Sequence, residues 1–141
     1  MPRVVLDTNV LVSSLITRGK ARELWLKAVD KKLTLVTSAQ VVKEFTEAMR
    51  REKFKRYVDT EDIERFTRIL IQTAKITRVR SKHKVVREDP DDDIIINTAH
   101  DGGAEYIVSG DGHLLTLKRF EEIKIVTVTE MLNILREQQL F

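Results

Sequence analysis

Short β-rich runs alternate with segments of helical period along the whole chain, and this alternation limits the fold more than any other feature. Residues 3–6 form an apolar run of strand length that ends at Asp7. Residues 9–16 read as a helix, broken by Thr17-Arg18-Gly19-Lys20. Residues 21–31 carry Leu24, Trp25, Ala28 and Val29 at helical spacing. A second strand is expected over 33–37, followed by Ser38 as N-cap of a helix from 39 to about 51. Thr60 is read as the cap of the next helix, and 75–79 as a short strand. Asp89-Pro90 opens a helix that runs to Asp101 and stops at Gly102-Gly103. A strand over 105–109, a short helix over 112–120, a strand over 124–126 and a helix over 129–138 complete the chain. Strands alternating with helices predict a three-layer α/β/α sandwich with a central, mainly parallel sheet. At 141 residues the expectation is one domain, 1–141, large enough for a real core.

The absence of cysteine excludes disulfides, thiolate zinc sites and cysteine nucleophiles. His83, His100 and His113 lie far apart in sequence, which argues against a histidine-rich zinc site. No apolar run approaches ~18 residues, so no membrane span is expected. The first residues do not read as a secretion signal, and a cytoplasmic location is the expectation. A net charge of +3 permits nucleic-acid binding without requiring it.

Four acids, Asp7, Glu44, Asp93 and Asp111, fall where strands end or helices begin. In an open parallel sheet, sites form outside the carboxyl ends of strands, so these side chains can converge on one edge. Carboxylates crowded together repel and need a partner. Mg²⁺ or Mn²⁺ meets that need through oxygen ligands, and can activate a water for attack on a phosphodiester. Thr8, Asn9 and Ser109 are placed to hold the ligand carboxylates or touch substrate phosphate.

Each acid has a simpler reading. Asp7 could cap the helix that follows it, Asp111 could be a turn residue, and most of the 89–93 run suits a helix dipole. Asp93 is the expected ligand of that run and Asp92 its rival, because helix starts are uncertain by a few residues. His100 and His113 read as surface or packing residues. Arg50, Arg51, Lys53, Lys55 and Arg56 form one basic stretch. Arg78, Arg80, Lys82 and Lys84 alternate and would share one face of an extended segment. Such rows can track an RNA backbone or guard a sheet edge.

The ordered set Leu-Asp-Thr-Asn-Val, a helical Glu about forty positions on, Asp-Pro-Asp-Asp-Asp, and Gly-Gly-Ala-Glu-Tyr-Ile-Val-Ser-Gly-Asp resembles the PIN-domain nucleases, and within them the VapC-like toxin components of toxin–antitoxin pairs. The resemblance implies a metal-dependent endoribonuclease with Asp7, Glu44, Asp93 and Asp111 as ligands, supported by Asn9 and Ser109. It also implies an antitoxin partner and a homodimer. This branch often carries a further acid two residues after the last Asp, where the chain has His113. One firmly held ion is therefore expected, with a second bound only with substrate. The rival readings are a catalytically silent fold that binds RNA or protein, and an aspartyl-nucleophile phosphatase using Asp7. The latter usually wants an acid where Asn9 stands.

Overall fold

The computed structural model describes residues 1–85 and 90–141. Its centre is β1 (Arg3–Leu6), flanked in parallel by β2 (Thr34–Thr37) and β4 (Tyr106–Val108). β3 (Lys75–Ile76) adds to β2, and β6 (Ile123–Val126) adds to β4, also in parallel. β5 (Arg119–Phe120) runs antiparallel beside β6 at the border, giving the sheet order β3-β2-β1-β4-β6-β5. Helices cover both faces, as parallel strands require of their crossovers. They are α1 (Thr8–Ile16), α2 (Lys20–Val29), α3 (Ala39–Met49), α4 (Thr60–Thr73), α5 (Pro90–Asp101), α6 (Gly112–Leu117) and α7 (Val128–Glu137). A sheet covered on both faces explains why Val4, Val5 and Leu6 are consecutive, apolar and all buried.

Local chemistry sets several boundaries away from the expected ones. The cap of α4 is Asp59, not Thr60. The Asp59 carboxylate accepts from Asp62 N at 2.9 Å, while the Asp62 carboxylate accepts from Asp59 N at 3.1 Å. This reciprocal box leaves Thr60 as the first helical residue. The helix expected over 112–120 ends at Leu117, because Lys118 turns to φ +63° and the next two residues pair with β6. The cap expected at Asp89 lies outside the described residues.

The strand expected over 75–79 keeps only two residues. Thr77 still donates to Thr37 O at 2.8 Å, after which the chain leaves the sheet and lies along α5. Three α5 side chains spaced four apart hold it there. Asp101 accepts from Arg80 N (2.7 Å) and Ser81 N (2.8 Å). Asn97 accepts from His83 N (3.0 Å) and donates to His83 O (3.1 Å). Asp93 accepts from Val85 N (2.8 Å). Positions i, i+4 and i+8 share one helix face, so a single stripe of α5 supplies all three anchors. Extended backbone then sends alternate side chains out, and Arg78, Arg80, Lys82 and Lys84 are exposed. At the end of α5, Gly102 packs against Val36 and Thr77, and any Cβ would also meet Thr98 O at 2.9 Å.

Candidate metal centre

Asp7 directly follows β1, and Ser109 directly follows β4. The parallel register that pairs Leu6 with Val108 therefore brings the next residue of each strand side by side. Ser109 Oγ donates to Asp7 Oδ2 at 2.8 Å and accepts from Asp111 N at 2.9 Å. Asp7 is 5% exposed and Ser109 fully buried. One hydroxyl thus connects the carboxylate that follows the first strand to the backbone that carries Asp111 in the β4–α6 turn. Asp7 occupies the N-cap position of α1, but its side chain makes no capping hydrogen bond. The carboxylate is directed across the sheet edge instead.

Asp111 caps a helix and also lies beside other ligand-type side chains. Its Oδ1 accepts from His113 N (2.7 Å) and Leu114 N (3.4 Å), which caps α6. It also stands with Asp92 and His113 in a group whose ligand-type atoms all lie within 4.8 Å of one another. Asp92, in the first turn of α5, is 4% exposed.

Of the described acids at 91–93, the one grouped with Asp111 is Asp92, the rival considered for the expected ligand Asp93. Helix phase is the reason. Asp92, Ile96 and Ala99 follow the i, i+4, i+7 pattern of the face turned to the core, and all three are buried. Asp93 lies about 100° further round, on the face that anchors Val85.

Glu44 is half-buried on α3 and lines a groove with Gln40, Lys43, Asp91 and Ile94, between α3 and the start of α5. Arg51 lines the same groove. Thr8 is buried beside Asp7, and its hydroxyl has no hydrogen-bond partner among the described residues. Asn9 is exposed and lines a cleft with Ser109, Gly110 and Thr127. Arg50, Arg51, Lys53, Arg78, Arg80 and Lys82 are all exposed.

His113, read from sequence as a surface or packing residue, is the member of the cluster that sequence reasoning missed. Its Nδ1 lies 3.8 Å from Asp111 Oδ1. The family resemblance drew attention to this position, where it leads one to expect a further acid. Carboxylate oxygens gathered with one imidazole nitrogen suit Mg²⁺ or Mn²⁺, and His113 adds some tolerance for softer ions.

The family profile described as PIN domain matches residues 3–113. Among solved structures, the chain is similar to VapBC2 from Rickettsia felis bound to a DNA fragment from their promoter. That match has TM-score 0.61 and 14% identity over 89% of this chain and 98% of the other. It is also similar to PAE2754 from Pyrobaculum aerophilum, with TM-score 0.63 and 15% identity over 96% and 90% of the two chains. FitAcB from Neisseria gonorrhoeae gives TM-score 0.53 and 14% identity over 89% and 98%. No curated protein matches by sequence. Among the described residues, no helix is long and apolar enough to cross a membrane.

Proposed function

The chain belongs to the PIN-domain family, and from that premise we propose that it is a Mg²⁺- or Mn²⁺-dependent endoribonuclease, the toxin of a toxin–antitoxin pair. The observation that carries the reading is the meeting of Asp92, Asp111 and His113 within 4.8 Å, with Asp7 tied to Asp111 through the Ser109 hydroxyl. In this reading Asp7, Asp92 and Asp111 hold the ion, and Glu44 approaches from α3. Asp93, which the family resemblance alone would have made a ligand, serves as an anchor of the 80–85 segment. Ser109 orients Asp7 and fixes the backbone that carries Asp111. Thr8, with a buried hydroxyl next to Asp7, is positioned to support the same carboxylate or meet a substrate oxygen.

When bound, the divalent ion offsets the crowded carboxylates and stabilises charge on the phosphate under attack. The chain's own task is to keep those acids preorganised at the sheet edge. The outward row Arg78, Arg80 and Lys82, with Arg50, Arg51 and Lys53, supplies cations for the RNA backbone. The reading takes 1–141 as one nuclease domain acting in the cytoplasm, with one firmly bound ion and a second that enters with substrate. An antitoxin partner is supported by the likeness to VapBC2 and FitAcB. A homodimer is part of the same proposal.

The test is cleavage of an internally labelled RNA with Mg²⁺ or Mn²⁺, with and without chelator. Internal cuts that need the metal are expected. Full cleavage in chelator, or no cleavage with either ion by protein freed of any antitoxin, sinks the reading.

A further inference from the structure

A second cluster of ligand-type side chains lies at the opposite end of α5. His83, His100 and Glu121 each offer a nitrogen or oxygen within 4.8 Å of the others. His100 is eight positions along α5 from Asp92, roughly 12 Å at the helical rise. The cluster is therefore separate from the acidic centre. Sequence spacing argued against such a group, since His83 and His100 belong to different segments and Glu121 to the β5–β6 turn. The fold brings them together because the 80–85 segment runs back along α5.

The donor set is two imidazoles and a carboxylate, a combination that catalytic zinc sites use with one position left open. Around a tetrahedral ion with bonds of about 2.0–2.1 Å, neighbouring donor atoms stand roughly 3.3 Å apart. His100 Nδ1 and Glu121 Oε2 are 3.4 Å apart. The His83 and His100 rings meet edge to face with centroids 4.8 Å apart, and Phe120 packs against both. The ligand backbone is held in place. Asn97 bonds both the N–H and the carbonyl of His83. Glu121 sits in the tight turn after β5 with φ +52°. The two histidines are half-buried and Glu121 is exposed, so a hydrated ion can reach them. Asp101, hydrogen-bonded to Ser81, adds negative charge beside His100.

We propose that His83, His100 and Glu121 form a transition-metal site, distinct from the acidic centre, that takes Zn²⁺ or a similar borderline ion such as Co²⁺. Bound there, the ion clamps the 77–85 segment and the β5–β6 turn to α5. Hard Mg²⁺ is a poor match for two imidazoles, so this centre favours a softer ion than the acid-rich centre does.

The full-length protein is titrated with Zn²⁺ by calorimetry under excess Mg²⁺, and with Co²⁺ by visible absorption. Saturable binding of one ion is expected, together with a Zn²⁺-dependent rise in Tm. His100→Ala and Glu121→Gln should each weaken binding by at least about tenfold. Asp92→Asn and His113→Ala should leave it intact. Glu121 is exposed, so its variant tests the site even where a histidine variant fails to fold. Lack of saturable binding, or binding that survives both His100→Ala and Glu121→Gln, overturns the proposal.

Discussion

Asn97 bonds to His83 as a neighbouring strand would, accepting from its N–H at 3.0 Å and donating to its carbonyl at 3.1 Å. A buried helix side chain thereby completes the pairing of a segment that has left the sheet. Asn97→Ala removes both partners at once and should destabilise the protein by about 1–3 kcal/mol. Chemical denaturation measures that loss. Hydrogen exchange should show faster exchange at the His83 amide than in the parent, and an unchanged amide would contradict the anchoring role.

Neighbouring acids on α5 should separate cleanly by phenotype. Asp92→Asn should keep the fold and lower RNA cleavage by about 100-fold or more, as expected when a charged group at the reacting centre is lost. Asp93→Asn should retain most of the cleavage and instead lose about 1 kcal/mol of stability through its weakened bond to Val85 N. Paired cleavage and denaturation assays decide it. The reverse pattern would return the ligand role to Asp93.

Ser109→Ala takes away the hydroxyl between Asp7 and Asp111 without changing either acid. Activity or metal affinity should fall roughly 10–100-fold, the usual range for a residue that orients a ligand. Raising Mn²⁺ should restore part of the rate if affinity is what suffers. A variant indistinguishable from the parent at limiting Mn²⁺ would remove Ser109 from the site.

Asp101 should give stability a measurable acid dependence. Burial acts to raise its pKa, but hydrogen bonds from the Ser81 hydroxyl and the Ser81 and Arg80 amides outweigh it, with help from nearby His100. The carboxyl is held below its ordinary value. A depressed pKa means the ionised form is favoured by folding, so its stabilisation is complete above about pH 4 and fades as pH falls through the lowered value. Asp101→Asn should therefore differ most from the parent at neutral pH, and the two should converge in acid. Denaturation curves at several pH values below 5 would show the convergence, and a constant difference would rule out this linkage.

The layering of strands and helices was legible because a sheet buried on both faces writes itself as consecutive apolar residues, as at Val4, Val5 and Leu6. The meeting of Asp7 and Ser109 was legible because each directly follows a strand of one parallel pair. Asp92 was not separable from Asp93, because one position changes a helical side chain's direction by about 100° and the first residue of the helix fixes the phase. Asp59 and Thr60 exchanged roles through a similar one-residue uncertainty. The path of 77–85 had no local signature. Its alternating basic residues read correctly as one face of an extended segment, but only the spacing of Asp93, Asn97 and Asp101 on another element shows that the segment lies along a helix. The nearness of His83 to His100 follows from that path and could not be read without it.

β3 and β5, the outermost strands, are two residues each. A border this brief offers a passing polypeptide almost no ladder to extend, and Lys75 and Arg119 place a charge on each. The molecule is thus guarded against strand-by-strand stacking into fibres. A partner that approaches either border meets side chains rather than a free backbone ladder.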